Sequence, residues 1–148
     1  DAPLAEEVNK RFSTEVRDIV VATRPELAPS FGLAGRLIDG GQPVKFGFLS
    51  PKLIAHFSVL NPVRQSASVR DARARLWEVN RAMALSSIQT GALIAAVPRS
   101  DDATLGEKQR SLVEVNRREI EREADDANIR LISVNTAQQA AKRLLELV

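Results

Sequence analysis

Residues 53–60 read Leu53-Ile54-Ala55-His56-Phe57-Ser58-Val59-Leu60, with apolar side chains at both odd and even positions. A strand sends alternate residues to opposite faces, so a run that is apolar on both belongs inside a sheet with both faces covered. Two β-type runs precede it, Leu33 to Ile38 and Val44 to Leu49, set apart by Asp39-Gly40-Gly41-Gln42 and by Ser50-Pro51-Lys52. Those separators are turn chemistry, and three runs joined by short turns predict an antiparallel meander with 53–60 as its most central strand.

Outward from this block the pattern turns helical. On the N-terminal side Leu4, Val8, Phe12, Val16, Ile19 and Val20 form one stripe of a helix reaching about Thr23, which Pro25, Pro29, Ser30 and Gly32 then close. On the C-terminal side Ser68 is placed to cap a helix with Val69, Ala72, Leu76, Val79 and Met83 inward. Ala92 to Val97 reads as a buried strand stopped by Pro98, and Thr104-x-x-Glu107 as a capping box. The helix after that box carries Leu112, Val113, Asn116, Ile120, Ala124 and Ala127 on one side. Ile129 to Val134 is a further strand, and Thr136-x-x-Gln139 opens a last helix with Ala137, Ala140, Ala141, Leu144 and Val148 inward.

The order α-β-β-β-α-β-α-β-α predicts an α/β fold in one domain over residues 1–148: a mixed five-stranded sheet flanked by helices on both faces. Its interior strands are expected at 53–60, 92–97 and 129–134. The chain opens Asp1-Ala2-Pro3 without an initiator Met, as a processed product or a segment of a longer protein would.

Composition narrows the chemistry. At 148 residues, 44% hydrophobic and 27% charged, the chain is sized and composed for one folded domain. It has no Cys, so disulfides, thiolate metal sites and Cys nucleophiles are excluded, and one His, so metal sites with two imidazoles are excluded too. No apolar run approaches the roughly 18 residues of a membrane span, and the chain is expected to be cytoplasmic. No dinucleotide or P-loop fingerprint is present, and no cofactor is expected. Residues 1–23 carry three basic and five acidic groups, residues 24–99 ten and four, and residues 100–148 eight and ten. The middle of the chain is thus its basic part, where a polyanion would be drawn.

The element order over about residues 4–97 resembles the restriction-endonuclease-like superfamily, the PD-(D/E)XK nucleases. The resemblance implies a metal-binding Asp near the start of the second strand and an acid-x-Lys pair on the third, which hold a divalent cation and activate water. This chain departs from that pattern: residues 41–69 contain no Asp or Glu, His56-x-Ser58 stands where acid-x-Lys is expected, and Asp39 sits in a turn. The resemblance therefore implies a nuclease-like scaffold without its metal site. No catalytic residue and no metal ligand is expected.

Around the second helix, Arg70, Arg73, Trp77 and Arg81 gather on one flank at 100° per residue. An indole ringed by arginines suits base stacking with phosphate contact, and Arg64, Lys45 and Lys52 are positioned to add charge. The competing reading has Trp77 packed against the sheet or the first helix, with arginines over its edge. On the other flank Asp71, Arg75 and Glu78 are spaced to pair, which would neutralise Arg75. The alternating charges of the third helix read as a solvated, ion-paired face. The function expected is a non-catalytic binding module that contacts nucleic acid or a partner protein. The alternatives are an enzyme with a site on His56 and a self-association domain using the first or second helix.

Overall fold

The computed structural model describes residues 4–148, so the Asp1-Ala2-Pro3 opening lies outside the described residues. In chain order the elements are α1 (Ala5–Thr23), a 3-10 turn (Pro25–Ser30), β1 (Ala34–Arg36), β2 (Pro43–Lys45), β3 (Phe48–Leu49), β4 (Leu53–Val59), α2 (Gln65–Ala84), β5 (Thr90–Ala96), α3 (Glu107–Asp126), β6 (Arg130–Val134) and α4 (Ala137–Leu147). Strands β3, β4, β5 and β6 form a four-stranded sheet in that order, with β3 antiparallel to β4 and the other three mutually parallel. The β4-α2-β5 and β5-α3-β6 crossovers leave α2 and α3 on one face, while α1 and α4 cover the other.

Strand alternation divides the core in two. Leu53, Ala55 and Phe57 of β4 join Phe12, Val16 and Val20 of α1 and Ala140 and Leu144 of α4. Ile54 and Leu60 meet Val69, Ala72, Leu76 and Val79 of α2 and Ile120 and Ala124 of α3 on the opposite face. Each large side chain so buried contributes about 1.5–3 kcal/mol, which makes β4, sealed on both faces, the axis of the fold. Its fully buried run from Leu53 to Ser58 is what the two-sided apolar pattern predicts.

Three expectations need correction. The sheet has four strands, because the 44–49 run breaks at Gly47 and β1 and β2 peel away as a separate two-stranded ribbon. A Cβ on Gly47 would fall 2.6 and 2.8 Å from ring carbons of Phe57, so only glycine lets the chain pass this close to β4. The antiparallel hairpin survives the bend, since Phe46 N donates to Leu33 O and Phe31 bridges Phe48. Second, β6 is an edge strand, buried mainly at Ile132 and Val134, and not an interior one.

Third, two helix starts are misplaced. The second helix begins at Gln65, before Ser68, which is buried inside it and accepts a hydrogen bond from Asn61 N. The third begins after Gly106, whose N–H is taken by Gln109 Oε1 at 3.0 Å, while Thr104 bonds Asp102 instead. Within α3 only Val113, Ile120 and Ala124 are buried, and Leu112 is exposed. Thr136 does cap α4 by accepting from Gln139 N.

Candidate functional site

The expected nucleic-acid flank of α2 is present as a surface but not as a cluster. Trp77 is 51% exposed, so it is not a core residue. Arg70 is exposed. Arg73 turns away to α3, donating through Nε to both carboxylate oxygens of Glu123 at 3.0 Å and through Nη2 to Glu119 at 3.3 Å. Arg81 donates to Leu37 O, a neutral partner that leaves its charge uncompensated. Arg64 precedes α2 and is engaged in interactions of its own. Lys52 lies exposed in the β3–β4 turn, and Lys45 lines the same cleft as Arg75, a residue of the opposite flank.

That opposite flank is where polar groups converge. Asp71 Oδ2 accepts from Asn9 Nδ2 at 2.7 Å, Ser58 Oγ at 3.1 Å and Arg75 Nε at 3.0 Å. Asn9 in turn accepts from Val59 N at 2.8 Å, which fixes α1 to the β4 backbone. Asn9, His56 and Ser58 are all buried. His56 Nδ1 faces Gly47 N and Arg75 Nη1, both at 3.3 Å, and the ring stacks on Phe46 with centroids 5.1 Å apart. Nε2 lies 2.8 Å from Glu78 Oε1, a close contact without hydrogen-bond alignment.

Two donors at Nδ1 make it an acceptor, so the neutral ring keeps its proton on Nε2, the side of Glu78. Burial is the main influence on His56 and pushes its pKa below the ordinary 6.5; Glu78 pulls it up and Arg75 pushes it down again. The neutral ring thus braces the Arg75 guanidinium without adding a second positive charge. Glu78, expected to pair with Arg75, serves His56 instead, while the expected Asp71–Arg75 pair is present.

Above this network lies a cleft of about 400 Å³. Its walls are one face of α1 (Glu6, Lys10, Ser13, Thr14, Arg17), the Phe31-Gly32 turn and the bend at Lys45-Phe46-Gly47, and the network reaches it through Arg75. A second cleft of about 400 Å³, beyond the carboxyl end of β5, is ringed by Arg99, Arg110, Arg117 and Arg118. There Arg117 and Arg118 both bond Glu114, holding its carboxyl below the usual range with Arg117 as the main cause, and Arg99 pairs with Asp101. This matches the ion-paired reading of the third helix.

His56 is fully buried and Ser58 is committed to Asp71, so the pair does not form an accessible base and nucleophile. Among the described residues no group of three His, Asp or Glu side chains is arranged as metal ligands. No helix of the described residues is long and apolar enough to cross a membrane.

Sequence reasoning missed Asn9, Lys10 and Arg17, and the hub role of Asp71. A signal existed for Asn9, a polar residue one turn before Phe12 on the apolar stripe of α1. No family model, curated protein or solved structure matches the chain.

Proposed function

We propose that the chain is a cytoplasmic, non-catalytic binding module, built on a restriction-endonuclease-like layout that lacks the metal-binding carboxylates, and that it contacts single-stranded nucleic acid through the outer face of α2. The observation that carries this reading is the exposure of Trp77, the chain's one tryptophan, on a helix that also offers the charges of Arg70 and Arg81. An exposed indole gives a base a stacking surface, and arginines on the same helix face give its phosphates a partner. Arg73, neutralised by two glutamates, takes no part.

Oligonucleotide binding as a function of salt tests the proposal. Trp77→Ala is expected to cost about 1–3 kcal/mol of single-strand binding, and Arg70→Ala to lower the salt slope by about one unit. Absence of binding by the wild-type protein at low salt, or binding indifferent to Trp77→Ala, would overturn it.

A further inference from the structure

The network beneath the cleft is costly to build, because Asn9, His56 and Ser58 are buried and about three quarters of the Asp71 and Arg75 side chains has been drawn out of water. The one that lines the cleft is Arg75. Its Nε is held by Asp71, and Asp71 is itself fixed by Asn9 and Ser58. Its Nη1 rests against a neutral imidazole. A guanidinium has five N–H donors in a fixed plane, so these contacts set its orientation and leave donors over for an oxyanion. Lys10, Arg17 and Lys45 line the same cleft with Glu6; Arg17 is paired with Asp18 at 3.5 Å, which leaves Lys10 and Lys45 as its further cations.

We propose that this cleft binds the phosphate group of a small phosphomonoester, with Arg75, whose charge Asp71 offsets, orienting it through its remaining N–H donors and Lys10 and Lys45 supplying the positive charge. A lone carboxylate would need only the arginine, whereas a phosphomonoester is a dianion that several cations complement. The cleft volume falls within the range of small-ligand sites and leaves room for the organic portion of the ester beside Phe31. The Gly32 backbone lies in the left-handed region at φ +72, so a side chain is disfavoured there and the mouth stays open beside that ring. This site is separate from the Trp77 face and stands or falls independently of it.

Calorimetric titration of the whole chain with adenosine monophosphate, ribose 5-phosphate and adenosine tests the proposal. Both phosphate esters should bind saturably and adenosine should not. Arg75→Lys keeps the charge but loses the planar fork, and should weaken binding by about tenfold or more. If that variant does not fold, the Lys10→Ala/Lys45→Ala double variant decides the matter: its side chains are exposed, and it should also bind markedly more weakly. Trp77→Ala should bind both esters as the wild-type does. The proposal is overturned if neither ester binds up to millimolar concentration, if adenosine binds as well as its monophosphate, or if neither the Arg75 nor the lysine variant weakens binding.

Discussion

The two flanks of α2 carry similar residues and have opposite fates. On one, Arg70, Arg73, Trp77 and Arg81 are exposed; Arg73 meets two glutamates of the neighbouring helix and Arg81 a backbone carbonyl. On the other, Asp71, Arg75 and Glu78 face the edge of β4, where β3 covers only residues 54 and 55 and the polar side chains of His56 and Ser58 await partners. What separates the flanks is the surface they meet, not their composition. Charges over solvent spread to whichever counter-ion is near, whereas charges over a buried strand with polar side chains are forced into one arrangement, since unsatisfied groups there are expensive.

The largest expected effect breaks the inner flank at its hub. Asp71→Ala would leave Arg75, Ser58 and Asn9 without their shared acceptor. Removal of one partner of a fully buried pair costs about 3–5 kcal/mol. Here about a quarter of each ion-pair side chain reaches water, 27% for Arg75 and 25% for Asp71. The expected loss in urea unfolding is therefore about 2–3 kcal/mol. A loss under about 0.5 kcal/mol would show that the network does not constrain the fold.

His56 gives a smaller and pH-dependent effect. Its folded pKa lies below 6.5, so as pH falls the unfolded chain takes up the proton first and protonation favours unfolding. Stability should be level above about 6.5 and decline as pH drops toward the folded value, by at most about 1.4 kcal/mol per pH unit for one proton. Below the folded value it levels again. The exposed carboxyls of Asp101 and Glu114 are held below their ordinary values of 3.8 and 4.5, so measurements kept above about pH 5 isolate the imidazole. His56→Gln should abolish the decline; if the slope persists in that variant, it does not come from His56.

Much of the fold was legible because period-2 and 3.6 patterns report burial directly. The two-sided apolar run of β4, the Phe12-Val16-Val20 part of the α1 stripe and the Asp39-Gly40 turn, with Gly40 at φ +73, behave as their residues demand, whereas Leu4 at the start of that stripe is exposed. The break at Gly47 was not legible, because it depends on where the Phe57 ring lies on a neighbouring strand. The site was legible only in part for the same reason. Helical spacing placed Trp77 and the arginines on one side and paired Asp71 with Arg75, but it treats a helix as if alone. Glu78 reaching His56, Arg73 reaching α3 and Asn9 reaching Asp71 are contacts between residues far apart in sequence, and local periodicity carries no record of them.

The smallest expected effects lie on the outer flank and sharpen the comparison from its other side. Arg73 makes more charged contacts than Arg75, with two glutamates of α3 in reach, yet all three side chains are nearly half exposed, at 47%, 49% and 41%. Each ion is already well solvated before the contact forms, so pairing gains little over water and the ordered side chains lose rotamer freedom. Arg73→Ala should therefore cost about 1 kcal/mol or less, and raised salt should shrink even that. Trp77→Ala should be comparably mild, about 1 kcal/mol, in place of the 3–5 kcal/mol of a core tryptophan, because half of the indole is already in water. Urea unfolding of both variants at low and high salt measures this. If Arg73→Ala proved as damaging as Asp71→Ala, and stayed so in high salt, its pairs with α3 would be acting as a buried network and the contrast between the flanks would not stand.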